Sequence, residues 1–115
     1  MKYEDEKMLI PGLVSVTFRS LSQNEIANLM CRSELKAIEW GGDVHIPVKD
    51  NPTEEDMEKL DEALNNASYL SESGKFYIAS FGSYYRCEGY VTLHAAAAVS
   101  IGAPNIRVWA GRRSS

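Results

Sequence analysis

The sequence predicts an α/β fold built on a parallel sheet, and three observations carry that prediction. Short runs rich in β-branched and aromatic residues alternate with longer runs whose apolar residues recur at helical spacing. The alternation starts and finishes on a strand, the pattern of βαβ units with right-handed crossovers. The composition, 44% hydrophobic and 24% charged over 115 residues, is that of a chain able to bury a core, which excludes disordered and collagen-like architectures.

Each element has a local cause. Residues 1–9 are an N-terminal extension, acidic at Glu4, Asp5 and Glu6. Pro11-Gly12 then leads into a first strand, Leu13-Val-Ser-Val-Thr-Phe18. Ser22-Gln-Asn-Glu25 is a capping box: the hydroxyl can take a first-turn amide while Glu25 reaches back. Ile26, Leu29 and Met30 continue that helix to about Leu35. Ala37-Ile-Glu-Trp40 is the second strand, ended by Gly41-Gly42 and followed by a loop with Pro47 and Pro52. Thr53 caps a second helix whose first-turn acids, Glu54 to Asp56, oppose the helix dipole. Met57, Leu60, Leu64 and Ala67 line one face of it, and Gly74 is its natural stop. Phe76-Tyr-Ile-Ala-Ser80 is a third strand, running into Phe81-Gly82-Ser83-Tyr84-Tyr85. Tyr90 to Ile101 is an alanine-rich helix, stopped by Gly102 with Pro104 beyond. Asn105-Ile-Arg-Val-Trp109 is the fourth strand.

The strands begin near residues 13, 37, 76 and 105, a mean repeat of about 31 residues. Eight such units need about 250 residues, the usual size of a (β/α)₈ barrel. The chain therefore reads as a parallel (βα)₃β half of a TIM barrel over residues 10–115, strand order 1-2-3-4, with helices on the outer face. A four-stranded doubly wound sheet also satisfies the pattern. No GxGxxG or GxxxxGK[ST] phosphate loop follows any strand, which weakens a nucleotide-binding reading.

Charge and cysteine content narrow the function classes. A net charge of −4 and a pI near 5.1 argue against a nucleic-acid binder. Cys31 and Cys87 lie in no CxxC or Cys/His cluster, so free thiols in a reducing compartment are expected. No apolar run approaches the ~18 residues of a membrane span, and the acidic N-terminus is wrong for a signal peptide. The expected location is cytoplasmic, with no membrane partner.

Four strand-end segments, in this order, carry a resemblance: Ile10 to Arg19, Ile38-Glu-Trp-Gly-Gly-Asp-Val-His-Ile-Pro47, Ser80 to Arg86, and Gly102-Ala-Pro-Asn-Ile-Arg-Val-Trp-Ala-Gly111. Together they resemble the N-terminal half of the sugar-phosphate isomerase/epimerase family, the xylose-isomerase-like TIM barrels. The resemblance implies metal-dependent aldose–ketose isomerisation or epimerisation through an enediol. It implies a divalent cation (Mn, Co, Mg or Zn) held mostly by Glu, Asp and His of later strands. Those strands are not in this chain, so no metal ligand and no catalytic residue is assigned here, and no turnover is expected of it alone. The wider superfamily includes abasic-site endonucleases; the acidic pI and the lack of a His-rich set argue against that activity.

In such barrels chemistry gathers at the C-terminal strand ends. The substrate-binding candidates there are Glu39, His45, Tyr84, Tyr85, Arg107, Trp109 and Arg112, with Thr17, Arg19 and Asp43 on the same rim. Their expected ligand is a sugar or sugar phosphate: aromatics cover a ring face while charged groups bond to hydroxyls. Glu39 and Arg107 each interrupt an apolar strand, where a charge is costly unless paired. Strands two and four contribute to the same interior layers, so these two are expected to meet, either as a structural ion pair or as a substrate grip positioned by Glu39. His45 is either a sugar or proton ligand or a solvated or capping loop histidine. Tyr84 and Tyr85 flank a ligand or cover a core edge. Arg107, Arg112 and Arg113 form a phosphate clamp or a solubilising tail. His94 suits a packed or half-exposed position on its helix, Cys31 reads as ordinary packing, and Cys87 as at best a weak thiol.

Two functional readings follow. One is a segment of a sugar isomerase or epimerase; the other is a non-catalytic half-barrel that binds or assembles. The first and fourth strands are apolar and would be edges, which favours a homodimer.

Overall fold

The computed structural model describes residues 10–86 and 92–109, without the side chains of residues 84–86 and of Trp109. The N-terminal extension, the predicted start of the third helix at Tyr90, Cys87, Arg112 and Arg113 lie outside the described residues. The elements are β1 (Gly12–Val14), a 3₁₀ turn (Ser15–Phe18), α1 (Gln23–Ser33), β2 (Ala37–Gly41), α2 (Glu54–Gly74), β3 (Tyr77–Arg86), α3 (Thr92–Ser100) and β4 (Ile106–Trp109). All neighbouring strands pair in parallel, in the order β1-β2-β3-β4. The predicted α/β class and strand order are those observed. The doubly wound alternative falls, because its strand order reverses at a switch point and this one does not.

Strand alternation divides the sheet into two unlike faces. Ile38 and Trp40 of β2 sit beside Ile78 and Phe81 of β3, and all four are buried. They share one core with Ile26 and Met30 of α1, Leu60, Leu64, Ala67 and Leu70 of α2, and Ala97 and Ala98 of α3. Of the helical apolar faces read from the sequence, Ile26, Met30, Leu60, Leu64 and Ala67 are buried, while Leu29 and Met57 are half-buried. The other face carries Val14, Glu39, Tyr77, Ser80, Gly82 and Arg107, and Val14 and Tyr77 there are exposed.

Three local departures from expectation have physical causes. The first strand stops at Val14 rather than Phe18. Ser15 is fully buried and its hydroxyl accepts from the Gly41 amide at 2.8 Å, so a side chain replaces the ladder and the chain turns. The third strand runs on to Arg86, five residues past Phe81, which places Tyr84 and Tyr85 within a strand and not after one. A register shift makes Ala79 an extra residue between the Ile38↔Ile78 and Glu39↔Ser80 pairs. That bulge keeps both Ile78 and Phe81 on the helix side and turns Gly82 to the open side.

The helix ends are chemically explicit. Ser22 with Glu25 and Thr53 with Asp56 form complete capping boxes. Gly74 does end α2, but not through a positive φ, which falls on Lys75 at 58°. Its role is close approach: a Cβ on Gly74 would lie 2.8 Å from the Phe76 ring. Gly102 takes φ +71° after α3, as a glycine stop does. Cys31 is exposed, which corrects the expectation that it packs: it lies on the solvent side of α1, one residue past buried Met30.

Candidate functional site on the open face of the sheet

Glu39 and Arg107 meet. Arg107 Nε and Nη2 donate to Glu39 Oε2 at 3.0 and 2.8 Å. The Glu39 side chain is 16% exposed and that of Arg107 40%, so the pair lies at the surface of the open face. The strands that bear them are not neighbours; β3 runs between them. The bridge is possible because β3 presents Gly82 at that point, in register with Arg107. A Cβ on Gly82 would overlap Glu39 Oε2 and lie 2.7 Å from Arg107 Nη2. The glycine is thus the saddle over which the two charged side chains join. Nothing in the sequence alone marks Gly82 for this role; the signal that could is a glycine midway, in strand order, between two strands that each carry one costly charge.

Among the described residues both hydrogen bonds of this pair fall on Oε2 and none on Oε1, so Glu39 keeps one acceptor oxygen for another group. Glu39 also lines a hollow of about 260 Å³ on the same face. Val14 and Ala37 supply apolar wall, and Ser80 supplies a hydroxyl. The arrangement is an ionised acceptor beside small apolar surfaces and one further polar group.

The rim above is more tied down than the sequence suggested. Arg19 and Asp43 form an ion pair, joining the turns after β1 and β2. His45 is buried, so it is not a solvated loop side chain. Its Nε2 donates to the Leu21 carbonyl at 2.7 Å. Among the described residues neither Nδ1 nor the Trp40 indole N–H has a hydrogen-bond partner, although the two rings are in contact with centroids 5.9 Å apart. His45 therefore clamps the β2–α2 loop onto the start of α1 and does not face the open side. His94 is buried on α3, the packed of its two expected placements, and its Nε2 lies 3.8 Å from the Asp50 carboxylate. Tyr84 and Tyr85 lie on β3 and Trp109 on β4, with their side chains outside the described set; Arg112 is outside altogether.

The divalent cation implied by the resemblance finds no donor set here. Among the described residues no three of His, Cys, Asp and Glu come together as a cation site. Glu39 and Asp43 each pair with a guanidinium, of Arg107 and Arg19, and no step through a metal is derived. Nor, among the described residues, is any helix long and apolar enough to cross a membrane.

No protein-family model matches this chain, and neither the curated proteins nor the solved structures searched contain a match.

Proposed function

We propose that the chain is a sugar-binding half-barrel of the sugar isomerase/epimerase kind, holding a sugar against the open face of its sheet. The observation that supports this is the Glu39–Arg107 pair spanning β3 over Gly82. Two charges lie on the sheet face that no helix of the described residues covers, with a glycine beneath them. A purely structural sheet would gain as much from apolar residues there, because ion pairs at such exposure contribute little. Glu39 Oε1 accepts a sugar hydroxyl, Arg107 positions the carboxylate, and Val14 and Ala37 take the apolar side of the ring. Arg107 is already neutralised by Glu39, so the pair suits hydroxyls better than it suits a phosphate. Metal-dependent isomerisation or epimerisation through an enediol belongs to the full barrels that the sequence resembles.

The test is to incubate the 115-residue chain with Mn²⁺ or Co²⁺ and a panel of ketoses, following both turnover and ligand binding. Saturable binding without turnover, lost in Glu39→Leu, is expected. Robust metal-dependent turnover by the monomer contradicts the reading of this chain as the non-catalytic half, and no binding of any ketose contradicts the sugar site.

A second reading is favoured by a separate observation. The open face also exposes Val14 and Tyr77, and the edge strand β4 exposes Ile106 and Val108. Such surfaces recruit a partner strand or sheet. On this reading the chain is a non-catalytic assembly module that dimerises through its open edges. Light scattering at micromolar concentration decides it: a dimer supports assembly, and a stable monomer removes it.

A further inference from the structure

A second cleft lies on the helix-covered side of the sheet, away from Glu39 and Arg107. It has a volume of about 420 Å³ and opens between the start of α1, the β2–α2 loop and α2. That volume falls within the range of small-molecule sites, whereas the 260 Å³ hollow on the open face is below it.

The polar wall of this cleft is fixed by a chain of amides. Gln23 Nε2 donates to two backbone carbonyls, His45 O at 2.8 Å and Ala63 O at 3.1 Å. Carbonyls only accept, so the Gln23 amide has one possible orientation. Its Oε1 then faces Asn66 Nδ2 at 2.8 Å, which fixes Asn66 in turn. The second hydrogen of Asn66 Nδ2 goes to Asn24 Oδ1 at 2.9 Å, which fixes Asn24. The relay is anchored in backbone at one end and reaches the cleft lining at the other. Among the described residues, Asn66 Oδ1 is left as an acceptor and Asn24 Nδ2 as a donor, on two residues that both line the cleft.

Lys59 and Glu62 also line the cleft from α2, a cation that pairs with Glu55 one turn earlier and a carboxylate acceptor. Leu21, Val44 and Pro47 give it an apolar strip. A polyol is the complement of such a surface. Each hydroxyl both donates and accepts, and the C–H face of a ring lies on apolar wall. An inorganic anion would leave the acceptors Asn66 Oδ1 and Glu62 opposed to its own charge.

We propose that the cleft between α1 and α2 binds a small neutral polyol, with Asn24 Nδ2 and Asn66 Oδ1 as its donor and acceptor. The site does not depend on the sugar reading of the open face. It is tested by following the side-chain amide resonances of Gln23, Asn24 and Asn66 by NMR while titrating myo-inositol, acetamide or inorganic phosphate into the full chain. Myo-inositol is expected to shift the Asn24 and Asn66 signals saturably in the millimolar range, leaving the Glu39 and Arg107 backbone signals in place. Asn66→Leu is expected to weaken binding about tenfold or more, because the relay then ends at Gln23. Should that variant not fold, Asn24→Ala on the exposed turn of α1 carries the same expectation. No saturable shift, a larger response to acetamide or phosphate, or undiminished binding by the folded variant overturns the proposal. Shifts confined to Glu39 and Arg107 also overturn it, while leaving the open-face reading intact.

Discussion

The two faces of one sheet are built on opposite principles. The helix side places Ile38, Trp40, Ile78 and Phe81 side by side, and its stability comes from apolar burial and packing. The open side places Glu39, Gly82 and Arg107 in line across three strands, and there small size at the centre matters more than apolar area. One strand serves both faces at once. In β3, Phe81 and Gly82 are adjacent in sequence, yet one is a fully buried ring and the other a saddle under an ion pair. Substitutions at neighbouring positions should therefore fail in different ways: a loss of stability on one side, a loss of binding geometry on the other.

The largest expected effect is on the helix side. Trp40→Ala or Phe81→Ala removes a fully buried ring and should cost about 3–5 kcal/mol, read as a fall in the urea midpoint. A loss below about 1 kcal/mol would mean that the two faces do not differ as described. Gly82→Val comes next. Its side chain collides with Glu39 Oε2, so about 1–3 kcal/mol should be lost together with the ion pair, and ketose binding should disappear. Arg107→Lys sharpens the contrast. Its guanidinium is 40% exposed, so stability should change by less than about 1 kcal/mol, while ketose affinity falls because lysine cannot give two donors to one oxygen. Unchanged affinity with reduced stability would return the pair to a structural role.

The smallest effect lies at the start of α2, away from both faces. The Asp56 carboxyl is held below its ordinary value of 3.8, first by the Thr53 backbone amide and then by Lys49. Its folded-state value is depressed, so the stability it contributes is present above the unfolded value and is lost as pH falls through the folded one. Asp56→Asn should flatten the acid limb of a stability-against-pH curve without moving the plateau near pH 7 by much. A variant whose acid limb is unchanged would contradict the cap assignment.

What the sequence made legible was periodic. The four strands, three helices, the Ser22–Glu25 capping box and the Thr53 cap follow from spacing and from residues whose chemistry is local; that Asp56 closes a second capping box on Thr53 is seen only in the structure. The Glu39–Arg107 meeting was legible too, because each charge is costly in its strand and the strand order brings the two to one layer. The remainder depended on distant partners. Ser15 ends β1 only because the Gly41 amide lies opposite it, 26 residues away in the chain. His45 is buried only because the Leu21 carbonyl reaches it. The Gln23–Asn66 relay joins residues 43 apart, and nothing in the composition of α1 or α2 marks it. Gly82 is informative only once the bulge at Ala79 has set which way it faces.

The central claim is that the open face, and specifically the pair across Gly82, holds the sugar. Backbone-amide NMR of the chain titrated with a ketohexose tests it most directly. Saturable shifts at Glu39, Ser80, Gly82 and Arg107, absent in Gly82→Val, are the predicted result. Saturable shifts that leave those four residues unmoved, or no saturable shift at all, would contradict it.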